Sequence, residues 1–181
     1  TAKRSWTARE LLATEFVQPE WVVQDVIPSG LTLMVGRPKV GKSWLALQLL
    51  LARSMGGQFL GKPVKKGPSL YVALEDSPRR IKGRMRSQRW SDILCDAMEQ
   101  VFIEHDISMS DLRRRLECGD LPDLVVIDTL SRLVGDIDHD RVGVMTAALG
   151  PLQQAANARG IGLVVVDHTK KGETGDAVRD V

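Results

Sequence analysis

Eight residues, Gly36-Arg37-Pro38-Lys39-Val40-Gly41-Lys42-Ser43, set two glycines at a fixed spacing beside an ammonium and a hydroxyl. They satisfy G-x-x-x-x-G-K-[ST], and they lie between a β-rich run and a helical run, the context in which this pattern forms a phosphate-binding loop. The loop would turn its backbone N–H groups inward. The N-terminus of the next helix would add positive dipole, so a polyphosphate sits there favourably. Gly36 and Gly41 are expected to allow backbone angles and close approach that a Cβ would block. Lys42 is expected to reach the β- and γ-phosphates, and the Ser43 hydroxyl to ligate Mg²⁺. Trp44 is expected to pack in the core or beside the adenine.

Carboxylates come next. Asp128 ends the apolar run "LVVID". An acid at the tip of a parallel strand near a phosphate loop commonly holds Mg²⁺, often through water. Hydrolysis also needs a carboxylate to orient or deprotonate the attacking water. Thr129 rather than Glu follows Asp128, so that acid is sought elsewhere, and Glu75 at the end of "SLYVAL" fits. Its neighbour Asp76 has the short side chain suited to capping the basic helix that begins at Pro78. "VVVDHTKK" (164–171) brings Asp167, His168 and Thr169 to the same sheet edge, where a polar group can sense a γ-phosphate. A guanine-reading N/T-K-x-D signature is absent: in "HTKKG" Gly172 stands where Asp is required. Tyr71 lies mid-strand and reads as core. His105 and His139 read as surface residues.

The elements that would position these groups follow from hydrophobic patterning. "LTLMV" (31–35), "SLYVAL" (69–74), "LVVID" and "GLVVVD" (162–167) are nearly continuous apolar runs. Strands covered on both faces look like that, so the chain reads as α/β, three-layered, with a mainly parallel sheet. "WLALQLLLARS" after Ser43 is apolar almost all round and is expected to lie buried against the sheet. Residues 78–90 read as a basic helix in which Ile81 and Met85 share a face. Residues 111–117 read as a shorter basic helix. Residues 144–159 read as helical with a break at Gly150-Pro151. Residues 1–29 read as a helical arm and extended lead-in, and 30–181 as the core. The sheet is expected to continue past its fourth strand, beyond this sequence, and the abrupt change at Trp90-Ser91 suggests a missing segment.

Bulk properties narrow the classes. The 181 residues are enough for one domain with a proper core, and 43% hydrophobic with 27% charged is the balance of a soluble globular protein. Lys plus Arg is 25 against 23 for Asp plus Glu, so the net charge of +2 does not argue for nucleic acid and a basic footprint would have to be local. Cys95 and Cys118 have neither metal-ligand nor disulfide spacing and read as free thiols in a reducing cytosol. No apolar run approaches a membrane span.

Taken together, "PSGLTLMVGRPKVGKSWLALQ", "LYVALEDSPRRIKGRM", "DLVVIDTLSRL" and "LVVVDHTKKG" resemble, in order, the segments of RecA-like ATPases of the hexameric replicative-helicase type. They are similar to RepA-type plasmid helicases and related AAA-25 ATPases over residues 27–175. The resemblance implies a RecA-like core using ATP and Mg²⁺, with Lys42 and Ser43 in the phosphate loop, Glu75 as catalytic base, Asp128 as Mg²⁺ acid and His168 as γ-phosphate sensor. It also implies a homo-oligomeric ring, usually a hexamer, acting on single-stranded DNA. In such rings a neighbour donates a basic finger from beyond the "DHTKK" strand. Channel-facing loops would be 131–143 with Arg132 and Arg141, and 169–181 with Lys170 and Lys171. Neither carries an aromatic residue to stack on a base. Two alternatives stand beside the DNA motor: a nucleotide-kinase-like phosphotransferase using the basic 79–89 stretch as a lid, and an ATP-gated assembly or regulatory ATPase that unwinds nothing.

Overall fold

A computed structural model describes residues 5–16, 20–93, 95–135 and 142–169. Within them a short helix α1 (Ala8–Ala13) precedes a hairpin of β1 (Trp21–Val23) and β2 (Ile27–Pro28). Then come β3 (Gly30–Gly36), α2 (Lys42–Met55), a small hairpin of β4 (Gln58–Phe59) and β5 (Lys62–Pro63), β6 (Ser69–Ala73) and α3 (Pro78–Ser87). The chain continues through a 3₁₀ turn (Trp90–Asp92), α4 (Cys95–Met98), β7 (Val101–Glu104), α5 (Met109–Cys118), β8 (Leu124–Asp128), α6 (Leu130–Val134), α7 (Val142–Arg159) and β9 (Gly162–His168).

β3, β9, β8, β6 and β7 form one five-stranded sheet in that order, with every neighbouring pair parallel. Parallel pairing sends all five C-terminal ends to one edge, and the phosphate loop leaves from that edge. β9 lies between β3 and β8, opposing His168 to Gly36 and Val166 to Asp128. The last strand in sequence therefore ends between the phosphate loop and the strand that carries Asp128.

Side-chain alternation divides the core in two. Tyr71, Ala73, Leu124, Val126, Val164 and Val166 face a cluster built with Ala46, Leu47, Leu50 and Ile81 from α2 and α3. Leu70, Val72, Val125, Ile127, Leu163 and Val165 face Leu112, Leu116, Leu152 and Ala156 from α5 and α7. That is the three-layer arrangement expected from the sequence. Ser77 caps α3 by accepting from the Arg80 backbone N–H, Pro78 opens the helix, and the left-handed Gly56 and Gly119 close α2 and α5.

Two expectations are corrected. A fifth strand, β7, lies inside the chain on the far side of β6, where its "VFIE" was too short and too exposed to read as an apolar run. α7 runs through Pro151 without ending at Gly150: burial of Leu152 and Ala156 outweighs the loss of one backbone hydrogen bond. Trp90 opens the 3₁₀ turn with its indole 2% exposed in the core. The lead-in, in turn, is part of the packing, since Val22, Val23 and Ile27 are buried with the α2 face. None of the helices among the described residues is long and apolar enough to cross a membrane.

Arg53 ties the end of α2 to two loops. It is 1% exposed; its guanidinium donates to the Lys65 carbonyl and to Asp123 Oδ2 at 3.2 Å. Gly67 packs so close that a Cβ there would sit 2.6 Å from Arg53 Nη2. Arg53→Met should therefore lower stability by about 2 kcal/mol, because it removes the buried guanidinium that bridges the Lys65 carbonyl and Asp123. The check is a lower urea midpoint at unchanged m-value; an unchanged midpoint would contradict it.

Candidate functional site

The phosphate loop occupies residues 37–41 between β3 and α2. Gly41 is the helix N-cap at φ 101°, and Lys39 is also left-handed at φ 66°. Gly41 thus needs its backbone freedom, since open space surrounds the position a Cβ would take. At Gly36 a Cβ would make ordinary contacts with the protein, at 3.5 Å with Val40 and 3.7 Å with Lys42.

Lys42 is 8% exposed. Its ammonium donates to the carbonyls of Gly36 at 2.7 Å and Arg37 at 2.9 Å, and to His168 Nδ1 at 2.9 Å. Burial pushes its pKa below the ordinary lysine value, while the charges of Asp128, Asp167 and Glu75 push it back up. Because an ammonium only donates, Nδ1 must accept, so His168 carries its proton on Nε2. That Nε2–H points to Glu75 Oε2 at 3.4 Å. Three residues from three segments therefore form one line: lysine, imidazole, carboxylate. Glu75 and His168 remain open to solvent, with side chains 45% and 33% exposed.

These groups line one cavity of about 360 Å³ with Pro38, Lys39, Gly41, Ser43, Trp44, Asp76, Arg80 and Arg84. Trp44 is 40% exposed, so it belongs to the cavity wall and not to the core. Asp128 does not line the cavity. It lies beneath, 3% exposed, with Oδ2 accepting from the Tyr71 hydroxyl at 2.7 Å.

Asp76 corrects another expectation. Ser77 is the cap of α3, and Asp76, 8% exposed, pairs instead with Arg84 and with Arg80 at 3.1 Å. Two of the basic residues in 79–89 thus face the cavity, while Ile81 and Met85 pack on the core as their spacing indicated. The arginines of 113–115 are engaged with acids: Arg113 with Glu117, Arg114 with Asp111 and Arg115 with Glu104. Arg132 is exposed on α6 and is not among the cavity residues. Lys170, Lys171, Arg141 and His139 lie outside the described residues; His105 and Cys118 are exposed.

Sequence reasoning missed Tyr71, Arg80 and Arg84. No motif marks them. The signal that could have found Tyr71 is its phenol inside an otherwise apolar buried strand, which needs an acceptor.

A phosphate loop at the C-terminal edge of a parallel sheet, with an acid at the tip of β8 and a Glu–His pair beside the loop lysine, defines a RecA-like P-loop ATPase. The chain belongs to the AAA_25 family of AAA domains, whose model matches residues 1–174. It is 30% identical over 151 residues to the DNA repair protein RadA of Streptococcus pyogenes serotype M6, a match covering 81% of this chain and 30% of that protein. RadA of Streptococcus pneumoniae R6 is 28% identical over 151 residues, 81% of this chain and 32% of the relative. RadA of Mycobacterium tuberculosis H37Rv is 27% identical over 150 residues, 81% and 28% respectively. The chain thus spans about a third of the length of these relatives.

The family implies ATP and Mg²⁺. The candidate donors suit that ion: Ser43 and Asp128 offer only oxygen, as a hard cation prefers. No group of three or more His, Cys, Asp or Glu able to hold a metal occurs among the described residues, so the nucleotide phosphates would have to complete the coordination.

The tautomer is directly checkable. In the nucleotide-free protein, long-range ¹H–¹⁵N spectra should show the His168 proton on Nε2 and Nδ1 bare. A proton on Nδ1 would contradict the Lys42–His168 hydrogen bond.

Proposed function

We propose that this chain is the ATP-hydrolysing core of a ring motor, hexameric in the manner of RepA-type helicases, that acts on single-stranded DNA. The observation that carries the hydrolytic half is the line from Lys42 through His168 to Glu75 beside the phosphate loop. ATP would lie along the loop with its β- and γ-phosphates at the backbone N–H groups and Lys42. The carbonyls of Gly36 and Arg37 and the ring of His168 hold the ammonium where those phosphates would arrive.

Glu75 is the base. Its carboxylate takes a proton from water as the oxygen attacks the γ-phosphorus, and the bond to the β–γ bridging oxygen breaks to leave ADP and phosphate. His168 touches both Lys42 and Glu75, so it is the group best able to register an occupied γ-phosphate position. Bound Mg²⁺ would neutralise phosphate charge, with Ser43 and, through water, Asp128 as its protein donors.

The DNA half rests on the RadA relatives, named for DNA repair, and on the family resemblance of the four motif segments. Arg132, Lys170 and Lys171 are the proposed contacts with the strand. The phosphotransferase alternative would draw on Arg80 and Arg84, which line the cavity. Both are already engaged by Asp76, which weakens them as phosphate clamps for a second substrate.

Turnover assays of the full-length protein decide. ATP hydrolysis should rise when single-stranded DNA is added, and Glu75→Gln should still bind ATP while turnover drops about 10²- to 10⁴-fold. Turnover that requires a small-molecule acceptor would overturn the proposal in favour of a kinase. Tight ATP-dependent oligomers without turnover would overturn it in favour of an assembly module.

A further inference from the structure

We propose that Tyr71 is a positioning residue for the metal-side carboxylate: its buried hydroxyl fixes Asp128 so that the remaining carboxylate oxygen meets the hydrated Mg²⁺ of bound nucleotide. This rests on the reading of Asp128 as the Mg²⁺ acid and deepens it.

The register makes the contact. β6 and β8 pair with Tyr71 opposite Val126, so Asp128 is the next residue along on the same face. From there the phenol oxygen reaches Asp128 Oδ2 at 2.7 Å, the length of a charge-assisted O–H···O⁻ bond. Both partners are withdrawn from water, Tyr71 fully and Asp128 at 3% exposed. A carboxylate in that position would otherwise be free to turn about its last torsion, a broad and soft one. With Oδ2 engaged, the plane of the group is set.

The hydroxyl also stays a donor. A carboxylate oxygen only accepts, so the phenol O–H supplies the proton of this bond. Neither Tyr71 nor its strand lines the cavity, so it touches no substrate. Its influence can only pass through Asp128. A purely structural tyrosine would leave metal binding alone once the protein is folded; a positioning tyrosine would not.

Tyr71 is the only tyrosine among these 181 residues, and site-specific incorporation of 3-fluorotyrosine at position 71 places a single ¹⁹F reporter at this site. In the full-length labelled protein holding the non-hydrolysable imido analogue of ATP, adding Mg²⁺ should shift that resonance. Asp128→Asn should abolish the shift. In parallel, Mn²⁺ binding to the analogue complex, followed by electron paramagnetic resonance, should weaken about tenfold in Tyr71→Phe. Binding of the analogue in EDTA and the cooperativity of thermal melting should be kept. If Asp128→Asn weakens Mn²⁺ binding while Tyr71→Phe stays within about twofold of the parent, the Tyr71 claim is overturned and the Asp128 reading stands. If neither substitution weakens it, the Asp128 reading falls and takes this inference with it. Should Tyr71→Phe fail to fold, a ¹⁹F resonance indifferent to Mg²⁺ in the labelled parent overturns the proposal by itself.

Discussion

A lysine ammonium with almost no access to water organises this molecule. Removing a charge from water is expensive unless hydrogen bonds and opposite charge replace the hydration. For Lys42 two loop carbonyls and an imidazole supply the bonds, and Asp128, Asp167 and Glu75 supply the charge. Each comes from a different place in the chain. The carbonyls belong to the turn after β3, His168 and Asp167 to the end of β9, Asp128 to the tip of β8, and Glu75 to the turn after β6. They converge because a parallel sheet delivers every strand end to one edge. Insertion of β9 between β3 and β8 then places His168 opposite Gly36. The same constraint makes the site receptive: the groups that satisfy Lys42 are neutral carbonyls and an imidazole, which an arriving phosphate can outcompete by charge.

A second layer holds these groups in place. Tyr71 engages Asp128 from below. Arg84 and Arg80 engage Asp76 from the side, and Ser77 and Pro78 anchor the start of the helix that carries them. Glu75, next to Asp76, is fixed at the cavity rim by a neighbour that is locked, while its own side chain stays half open to solvent. For the proposed role of Glu75 as base, that combination of a rigid backbone and an accessible carboxylate is favourable. The cavity arginines are committed to Asp76.

Much of this was legible in the chain itself. The glycine–lysine–serine spacing located the loop, since the phosphate chemistry needs those residues in sequence order. Asp128, Glu75 and His168 were legible because each stands where an apolar run ends, and strand ends share an edge. What escaped depends on register and packing between distant segments. Tyr71 reaches Asp128 only because β6 and β8 pair with no offset between the two residues' faces, and nothing in "SLYVAL" or "LVVID" states that offset. Asp76 looked like a cap because its length suits one; a serine one residue later took the role, and the carboxylate turned to Arg84. β7 escaped because an edge strand with Phe102 55% exposed lacks the continuous apolar signature of its buried neighbours. Pro151 was read as a break because local propensity favours one, and tertiary burial of the turn that follows it overrode that preference.

The central claim is that the Lys42–His168–Glu75 line is the receiving side of a nucleotide γ-phosphate. A crystal structure of the full-length protein with the imido analogue of ATP and Mg²⁺ tests it most directly. The account predicts a γ-phosphate within hydrogen-bond distance of Lys42 Nζ, the Gly36 and Arg37 carbonyls released by the ammonium, and Glu75 beside the γ-phosphorus with His168 still in contact with Glu75. A nucleotide bound with Lys42 still on those carbonyls, or with Glu75 turned away from the γ-phosphate, would contradict it.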